Sequence, residues 1–323
     1  MVRVLRLTLA ALLASLATAQ EAKPVPATPL RPAGGEAAKP AQEKPAKVYD
    51  EAADAKAQIG AAIKKAGRDH SRVLVVYGGN WCHWCIKLHG LFQSDKAIAK
   101  TLKYEYQLVS VDIGKFDKNM DIAAKYEADP KKNGVPFLTV LDGDGKVVTN
   151  QDTGSLEDGD KHDPKKVAAF LDKNKAAAVD AEAELKAALS KAASDGKRVF
   201  LHFGAPWCVY CHRLEDFMAR PEIEKLLAKD FVDVKIDMDR MTNAKEVAQR
   251  YRKDEKGGIP WFAFLDHEGK PLATSDGPKG NVGYPAAPEE IAHFVKMLQT
   301  TKKNLTNDDI AAIEKALKEA APK

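Results

Sequence analysis

One short pattern occurs twice in this chain, and that duplication constrains the fold more than any other feature. Arg72-Val-Leu-Val-Val-Tyr77 is a β-branched, apolar run suited to a strand buried on both faces. It leads into Gly79-Asn80-Trp81-Cys82-His83-Trp84-Cys85, and Leu88, Leu91 and Phe92 follow at helical spacing. Phe200-Leu-His-Phe-Gly-Ala-Pro-Trp207-Cys208-Val-Tyr-Cys211 repeats the arrangement, with Cys208 lying 126 residues after Cys82. Gly134-Val135-Pro136-Phe137 is answered by Gly258-Ile259-Pro260-Trp261 after 124 residues, and Asp112 by Asp237 after 125. The turns at Asp142-Gly-Asp-Gly-Lys146 and Asp266-His-Glu-Gly-Lys270 match as well. Several landmarks in one order at a nearly constant offset mean that a domain-sized unit has been duplicated.

The chain around these units divides by composition. Its 323 residues fit about two domains, and a hydrophobic fraction of 45% fills two ordinary cores. The formal charge of +4 is small for the length, and no basic cluster interleaves with aromatics, so nucleic-acid binding is not expected. Residues 1–19 read as a signal peptide. Arg3 and Arg6 start it, Leu7 to Leu16 are apolar, and Ala17-Thr18-Ala19 supplies the small residues of a cleavage site before Gln20. A membrane anchor is the other reading, but the apolar run is short for a span. Residues 20–47, rich in Pro, Ala, Lys and Glu, read as a disordered linker. The mature chain is therefore expected to be exported, periplasmic or secreted, with no transmembrane segment.

Residues 48–175 are expected to form the first domain. An Ala-rich helix over Ala52–Ala66 precedes the strand at Arg72–Tyr77 and the cysteine helix. A strand at Tyr106–Ile113, a helix from Met120 to Tyr126, and a hairpin of Phe137–Leu141 with Lys146–Thr149 come next. A closing helix begins at Pro164, with Val167, Phe170 and Leu171 facing inward. Residues 176–300 repeat the plan, with strands at Val199–Phe203, Phe231–Asp237, Trp261–Leu265 and Pro271–Ala273, and a break in the cysteine helix near Pro221. Residues 301–323 carry an extra helix, announced by a Thr306/Asp309 capping box and a Leu305/Ile310 staple. Its thin stripe of Ile310, Ile313 and Leu317 is expected to dock on the second domain.

The chemistry lies with the four cysteines. A thiol where a strand hands over to a helix feels the helix dipole and unpaired backbone N–H groups, which favour the thiolate. Cys82 and Cys208 are the outer members of their pairs, and Cys85 and Cys211, one turn further in, can attack a mixed disulfide formed there. An inert staple is the rival reading, but closing so short a loop adds little stability. A shared zinc site would need the two pairs face to face, and no metal is expected. Cys208-Val-Tyr-Cys211-His212 also satisfies the C-x-x-C-H pattern for c-type haem attachment, whereas Ile86 follows Cys85 in the first unit. Haem stays as a minor alternative.

Trp81-Cys82-x-x-Cys85 with Val135-Pro136, and Trp207-Cys208-x-x-Cys211 with Ile259-Pro260, make each unit resemble a thioredoxin-fold domain, an α/β fold with a central mixed sheet flanked by helices. The resemblance implies a cis proline facing the sulfurs at Pro136 and Pro260. It implies that Val135 and Ile259 offer backbone to substrate as an added strand would, and that Trp81 and Trp207 border the substrate site. It implies no cofactor, protein substrates bearing thiols or disulfides, and a redox partner protein. The spacers His83-Trp84 and Val209-Tyr210 match neither the Gly-Pro of reducing thioredoxins nor the Pro-His or Gly-His of oxidases and isomerases, so they leave the direction of electron flow open among reduction, oxidation and isomerisation, with a reductase or isomerase the expected enzyme. His83 could stabilise the Cys82 thiolate when protonated. The family's buried acid, six residues before the first cysteine, is replaced by Val76 and His202. His202 is a candidate proton acceptor, with a packed core histidine as the rival reading. His89 and His212 are expected to be solvated.

The expected function is thus thiol–disulfide exchange on protein substrates by two Cys-x-x-Cys sites. The alternative is a peptide-binding module whose disulfides are largely structural.

Overall fold

In each repeat, a strand and its neighbours are sorted by side-chain alternation onto two helical layers. The computed structural model describes residues 47–252 and 258–321. The leader expected at 1–19 and all but the last residue of the linker expected at 20–47 lie outside the described residues.

The first repeat opens with α1 (Ala55–Arg68), started by Asp54, whose carboxylate accepts the N–H of Ala57. The helix begins three residues later than the sequence predicts, because Asp54 supplies the cap and Ala52 precedes it. Then come β1 (Arg72–Gly78), α2 (His83–Ser94), α3 (Lys96–Glu105), β2 (Tyr106–Asp112), α4 (Met120–Lys125) and α5 (Pro130–Asn133). The rest is β3 (Phe137–Leu141), β4 (Val147–Asp152), the small hairpin β5 (Glu157–Asp158) with β6 (Lys161–His162), and α6 (Pro164–Asn174). The strand order is β2-β1-β3-β4, with β1 parallel to β2 and antiparallel to β3. Val73, Val75 and Tyr77 pack under α1, while Leu74 and Val76 face α2, α3 and α6. That two-sided burial explains why β1 reads as a continuous apolar run.

The second repeat comprises α7 (Ala181–Asp195), β7 (Arg198–Gly204), α8 (Val209–Met218), α9 (Pro221–Leu227), β8 (Phe231–Asp237), α10 (Ala244–Tyr251) and β9 (Trp261–Leu265). It closes with β10 (Pro271–Thr274), the hairpin β11 (Asp276–Gly277) with β12 (Gly280–Asn281), and α11 (Pro288–Thr301). Its sheet, β8-β7-β9-β10, repeats the order and pairing senses of the first. The cysteine helix breaks before Pro221, as expected. The first repeat breaks at the equivalent place without a proline. Asp95 ends α2 and caps α3 by accepting the N–H groups of Ala97 and Ile98.

The last helix, α12 (Asn307–Ala320), has the reciprocal Thr306–Asp309 capping box. Leu305, Ile310, Ile313 and Leu317 are buried in one cluster with Phe217, Phe262 and Phe294 of the second repeat. Asp230 holds the approach to this helix by accepting the N–H groups of Lys303 and Asn304 at 2.7 and 2.6 Å. Among the described residues no helix is long and apolar enough to cross a membrane.

Both repeats belong to one compact unit, and charges are buried where they meet. Lys235 of β8 reaches Asp69, just after α1, at 3.0 Å and Glu215 of α8 at 2.8 Å, and all three residues are buried. Arg240 donates to the carbonyls of Asp69 and His70 and pairs with Glu105 at 3.0 Å. Among the described residues Lys235 is the cation nearest to these two carboxylates, with Lys65 and Arg68 further off at 3.4–3.8 Å. Removing one partner of a buried charge group leaves the others uncompensated, which costs about 3–5 kcal/mol. Lys235→Met should therefore lower the unfolding free energy extrapolated from urea denaturation by an amount in that range. The triple variant Lys235→Met/Asp69→Asn/Glu215→Gln should recover most of the loss. Equal midpoints for wild type and Lys235→Met would show that the cluster does not hold the repeats.

Candidate functional site

Each Cys-x-x-Cys pair is closed as a disulfide, Cys82–Cys85 and Cys208–Cys211. The outer cysteine of each pair is also the N-cap of its helix. Cys82 Sγ accepts the N–H of Cys85 at 3.0 Å, and Cys208 Sγ that of Cys211 at 3.1 Å. An N-cap acceptor satisfies one of the helix's unpaired N–H groups, so a negative charge on this sulfur is well placed. The outer cysteines are also the less buried of each pair: Cys82 and Cys208 are 6% and 4% exposed, against 0% and 1% for Cys85 and Cys211. Attack from outside therefore meets the outer sulfur first.

The proline loops complete each site. The Val135–Pro136 and Ile259–Pro260 peptide bonds are cis. The carbonyl oxygens of Val135 and Ile259 lie 3.6 and 3.5 Å from the sulfurs of Cys82 and Cys208. Both prolines are buried, while Val135 and Ile259 are half-buried beside the disulfide. Trp81 and Trp207 stand exposed at the rim. Trp81 donates from Nε1 to the Gly114 carbonyl at 2.5 Å, with Lys115 over its ring, and Trp207 donates to Asp239 at 2.8 Å. The structure brings all these sequence-predicted residues together at the N-terminal ends of α2 and α8. His83 is exposed next to Cys82.

Beneath the disulfides the two repeats part company. Gly78 and Gly204 end the central strands where the cysteine helix passes closest. A Cβ on Gly78 would meet Tyr49 Oη at 2.5 Å and Cys85 Sγ at 2.6 Å. A Cβ on Gly204 would meet Glu215 Oε1 and Cys211 Cβ, each at 3.3 Å. The buried neighbour of the inner cysteine is thus a phenol in the first site and a carboxylate in the second. His89 and Glu215 are the same position in the two repeats, one turn beyond the inner cysteine. An i+4 spacing from a buried cysteine puts a side chain on the same inward face, and this signal in the sequence could have found both. Tyr49 lies before the duplicated frame and has no such signal.

His89 and His212 are not solvated as the sequence predicts. His89 is buried edge-on against Tyr49 and Phe92. The helix face carrying Cys85 also carries His89, and that face is covered by the Val48–Tyr49 segment. His212 is half-buried, with Nε2 2.9 Å from the Pro206 carbonyl oxygen and Nδ1 3.5 Å from Glu215. Glu215 raises its imidazole above the ordinary value, outweighing the opposing effect of burial. Burial pushes the Glu215 carboxyl up, but His212, Lys235 and His202 together overcome it and hold the group well below the usual carboxylate range. His202 sits on β7 facing the same layer as Phe200, where the first repeat has Val76, and its Nε2 lies 3.1 Å from Asp233. That contact is out of line for a hydrogen bond. His202 therefore leans toward Asp233, and Glu215 takes the space beside Cys211.

Burial pushes the His89 imidazole down from 6.5 to about 4. Between those values the unfolded chain binds a proton that the folded chain refuses. The stability is therefore present above pH 6.5 and lost as pH falls toward 4. At about 1.4 kcal/mol per unit of separation, the loss is on the order of 3 kcal/mol. His89→Leu should lose less stability than wild type between pH 7 and pH 4.5, measured by urea unfolding at both. Parallel losses in the two proteins would show that His89 titrates freely.

Comparison with known proteins agrees with this geometry. Residues 59–161 match a family described as a thioredoxin-like domain, and residues 180–267 a family described as thioredoxin-like. Among solved structures, a disulphide isomerase from Xylella fastidiosa Temecula1 is 31% identical, over 39% of this chain and 95% of its own, at a TM-score of 0.36. A thioredoxin from Thermus thermophilus is 29% identical, over 24% of this chain and 58% of its own, at a TM-score of 0.21. Among curated proteins, Spermatogenesis-associated protein 20 of Homo sapiens is 32% identical over 75 residues, which are 23% of this chain and only 10% of that protein. The thioredoxin-like domains and the two Cys-x-x-Cys pairs together support thiol–disulfide oxidoreductase activity. The chain belongs to the thioredoxin-like family and carries two such domains in tandem.

Proposed function

We propose that this protein is an exported thiol–disulfide oxidoreductase that acts on protein dithiols and disulfides at both sites, as a reductase or an isomerase. The observation that carries the reading is the outer cysteine, the less buried of each pair, capping a helix beside the carbonyl that precedes a cis proline, in both repeats. In reduction, the Cys82 or Cys208 thiolate attacks one substrate sulfur, and the other leaves as a thiolate. The inner Cys85 or Cys211 thiolate then attacks the outer sulfur. The protein's disulfide re-forms, the second substrate thiolate leaves, and two electrons have passed to the substrate. A partner dithiol protein resets the site, and no cofactor takes part. In isomerisation the first mixed disulfide is resolved by another substrate thiol, and no net electrons move. Export is supported by the positively charged, apolar and small-residue succession over residues 1–19.

In the second site, the charge beside Cys211 is the carboxylate of Glu215, with His212 behind it. We assign to it, rather than to His202, the acceptance of a hydrogen bond from the Cys211 thiol as that thiol loses its proton. General-base help of this kind contributes at least about a hundredfold when full, and a weakly basic carboxylate gives less. Glu215→Gln should slow the decay of a mixed disulfide trapped on Cys208 by about tenfold at neutral pH, whereas His202→Val should change it less than about threefold. Equal decay in wild type and Glu215→Gln would remove the carboxylate from the mechanism, and a large effect of His202→Val would return the role to the histidine.

The function itself is tested by insulin reduction and by refolding of a scrambled substrate, with wild type, Cys82→Ser/Cys85→Ser and Cys208→Ser/Cys211→Ser. Each pair substitution should remove part of the activity, and the two together all of it. Absence of both activities with every donor tried would leave a peptide-binding module with structural disulfides. The mass of the exported protein should match the unmodified chain from Gln20. A surplus of one haem, lost in Cys208→Ser, would place haem at the second site instead.

A further inference from the structure

The first site carries a buried polar group that thiol–disulfide exchange, as described above, leaves unused. Tyr49 is 0% exposed, and its hydroxyl has no hydrogen-bond partner among the described residues. A hydroxyl buried without a partner costs about 1–3 kcal/mol relative to one that is satisfied. Its location gives a reason for tolerating that cost. Oη shares with Cys85 Sγ the space over Gly78 that a Cβ would fill, and Tyr49, Cys82 and Cys85 form one buried cluster. In the disulfide, Cys85 Sγ is a weak acceptor. In the reduced site it becomes a thiol or thiolate, and a thiolate is a strong one.

Tyr49 is held in this place by the site itself. Asn80, two residues before Cys82, accepts the N–H groups of Val48 and Tyr49 at 3.0 Å each. Its Nδ2 donates to the Tyr49 carbonyl and to Glu51, both at 2.8 Å. The second repeat has Pro206 in place of Asn80. Counting back from the helix cap Asp180 as Tyr49 counts back from Asp54, it has Lys175 in place of Tyr49. The device therefore belongs to the first site alone, where no buried acid or base stands at Val76.

We propose that the Tyr49 hydroxyl donates a hydrogen bond to Cys85 Sγ when the first site is reduced, holding the inner sulfur as a thiolate ready to return to Cys82. The inference deepens the exchange reading of this site and rests on it. No proton leaves the phenol. Burial, and the Asp112 carboxylate next, push it well above its ordinary range, so Tyr49 stays a donor throughout the working range. The other groups facing this pocket are His89 on α2, held neutral by burial, and Asp112 on β2, which is paired with Lys118 at 3.2 Å. A neutral imidazole and a compensated carboxylate leave the phenol as the group that can stabilise negative charge on Cys85.

The test uses the full chain carrying Cys208→Ser/Cys211→Ser, so that only the first site reports. Tyr49→Phe keeps the ring and its packing and removes the donor. The reduced site loses its hydrogen bond, so the equilibrium with dithiothreitol should shift toward the disulfide by about tenfold, equivalent to about 30 mV for a two-electron couple. The thiol pKa of Cys85, followed by alkylation against pH in Cys82→Ser, should rise by about one unit, because a tenfold change in thiolate stability is one pKa unit. Asn80→Ala, which frees the segment without touching the phenol, should move both quantities the same way by a smaller amount. An unchanged equilibrium and an unchanged Cys85 pKa in Tyr49→Phe would overturn the proposal. Equilibration with a small dithiol requires no protein substrate. A wild-type first site that equilibrates but reduces no protein would therefore sink the exchange reading and leave the tyrosine result standing.

Discussion

The structure turns on a sulfur atom used as a helix cap. Where a buried strand delivers the chain to a helix, the first N–H groups of that helix lack partners, and here the outer cysteine supplies one. The arrangement favours a strand ending in glycine: a Cβ at Gly78 would overlap Cys85 Sγ at 2.6 Å, and one at Gly204 would sit tight against Cys211 Cβ at 3.3 Å. It also requires the proline loop, which sets a carbonyl oxygen 3.6 and 3.5 Å from the capping sulfurs. Strand, glycine, cap and proline form one geometric unit. Each is intelligible only because the others fix how near the helix comes to the sheet.

Duplication preserved that unit and changed what is buried under it. In the first repeat the inner cysteine lies over a neutral pocket built from Tyr49 and a histidine that burial keeps uncharged. In the second, the equivalent of that histidine is Glu215, and the charges multiply: Lys235 on the neighbouring strand, His212 on the same helix, and Asp69 from the other repeat. A carboxylate can stay buried next to a sulfur only when cations compensate it. The acid in the second site therefore entails Lys235, and Lys235 draws in Asp69. The first repeat thus contributes part of the electrostatic environment of the second, and the two sites are chemically unequal neighbours in one compact unit.

The joint between the repeats follows the same logic. Arg240 reaches back to the carbonyls of Asp69 and His70, which end the first helix of the other repeat. Helix C-termini leave carbonyls without partners, and a guanidinium offers several donors to them at once. The contact is polar and directional. It fixes the orientation of the repeats more closely than a sliding apolar face would.

By itself, the sequence determined the duplication, the strand-to-helix placement of each cysteine pair and the capped last helix, while the cis prolines followed from its resemblance to the thioredoxin fold. These are local patterns: a continuous apolar strand run, a capping box, a proline at the first turn, and landmarks at a constant offset. Only the tertiary structure decided which side chains reach the inner sulfurs. His202 occupies the family's acid position in the chain, yet in space it leans to Asp233. Glu215, one turn beyond Cys211 on the same helix, takes the place beside it, and Lys235 reaches both it and Asp69. Tyr49 stands outside the repeated frame and is brought under Cys85 by the clasp of Asn80. The reason is physical. A chain pattern records which face of an element a side chain occupies. Which buried groups meet there, and which charge survives, depends on the packing of elements distant in sequence.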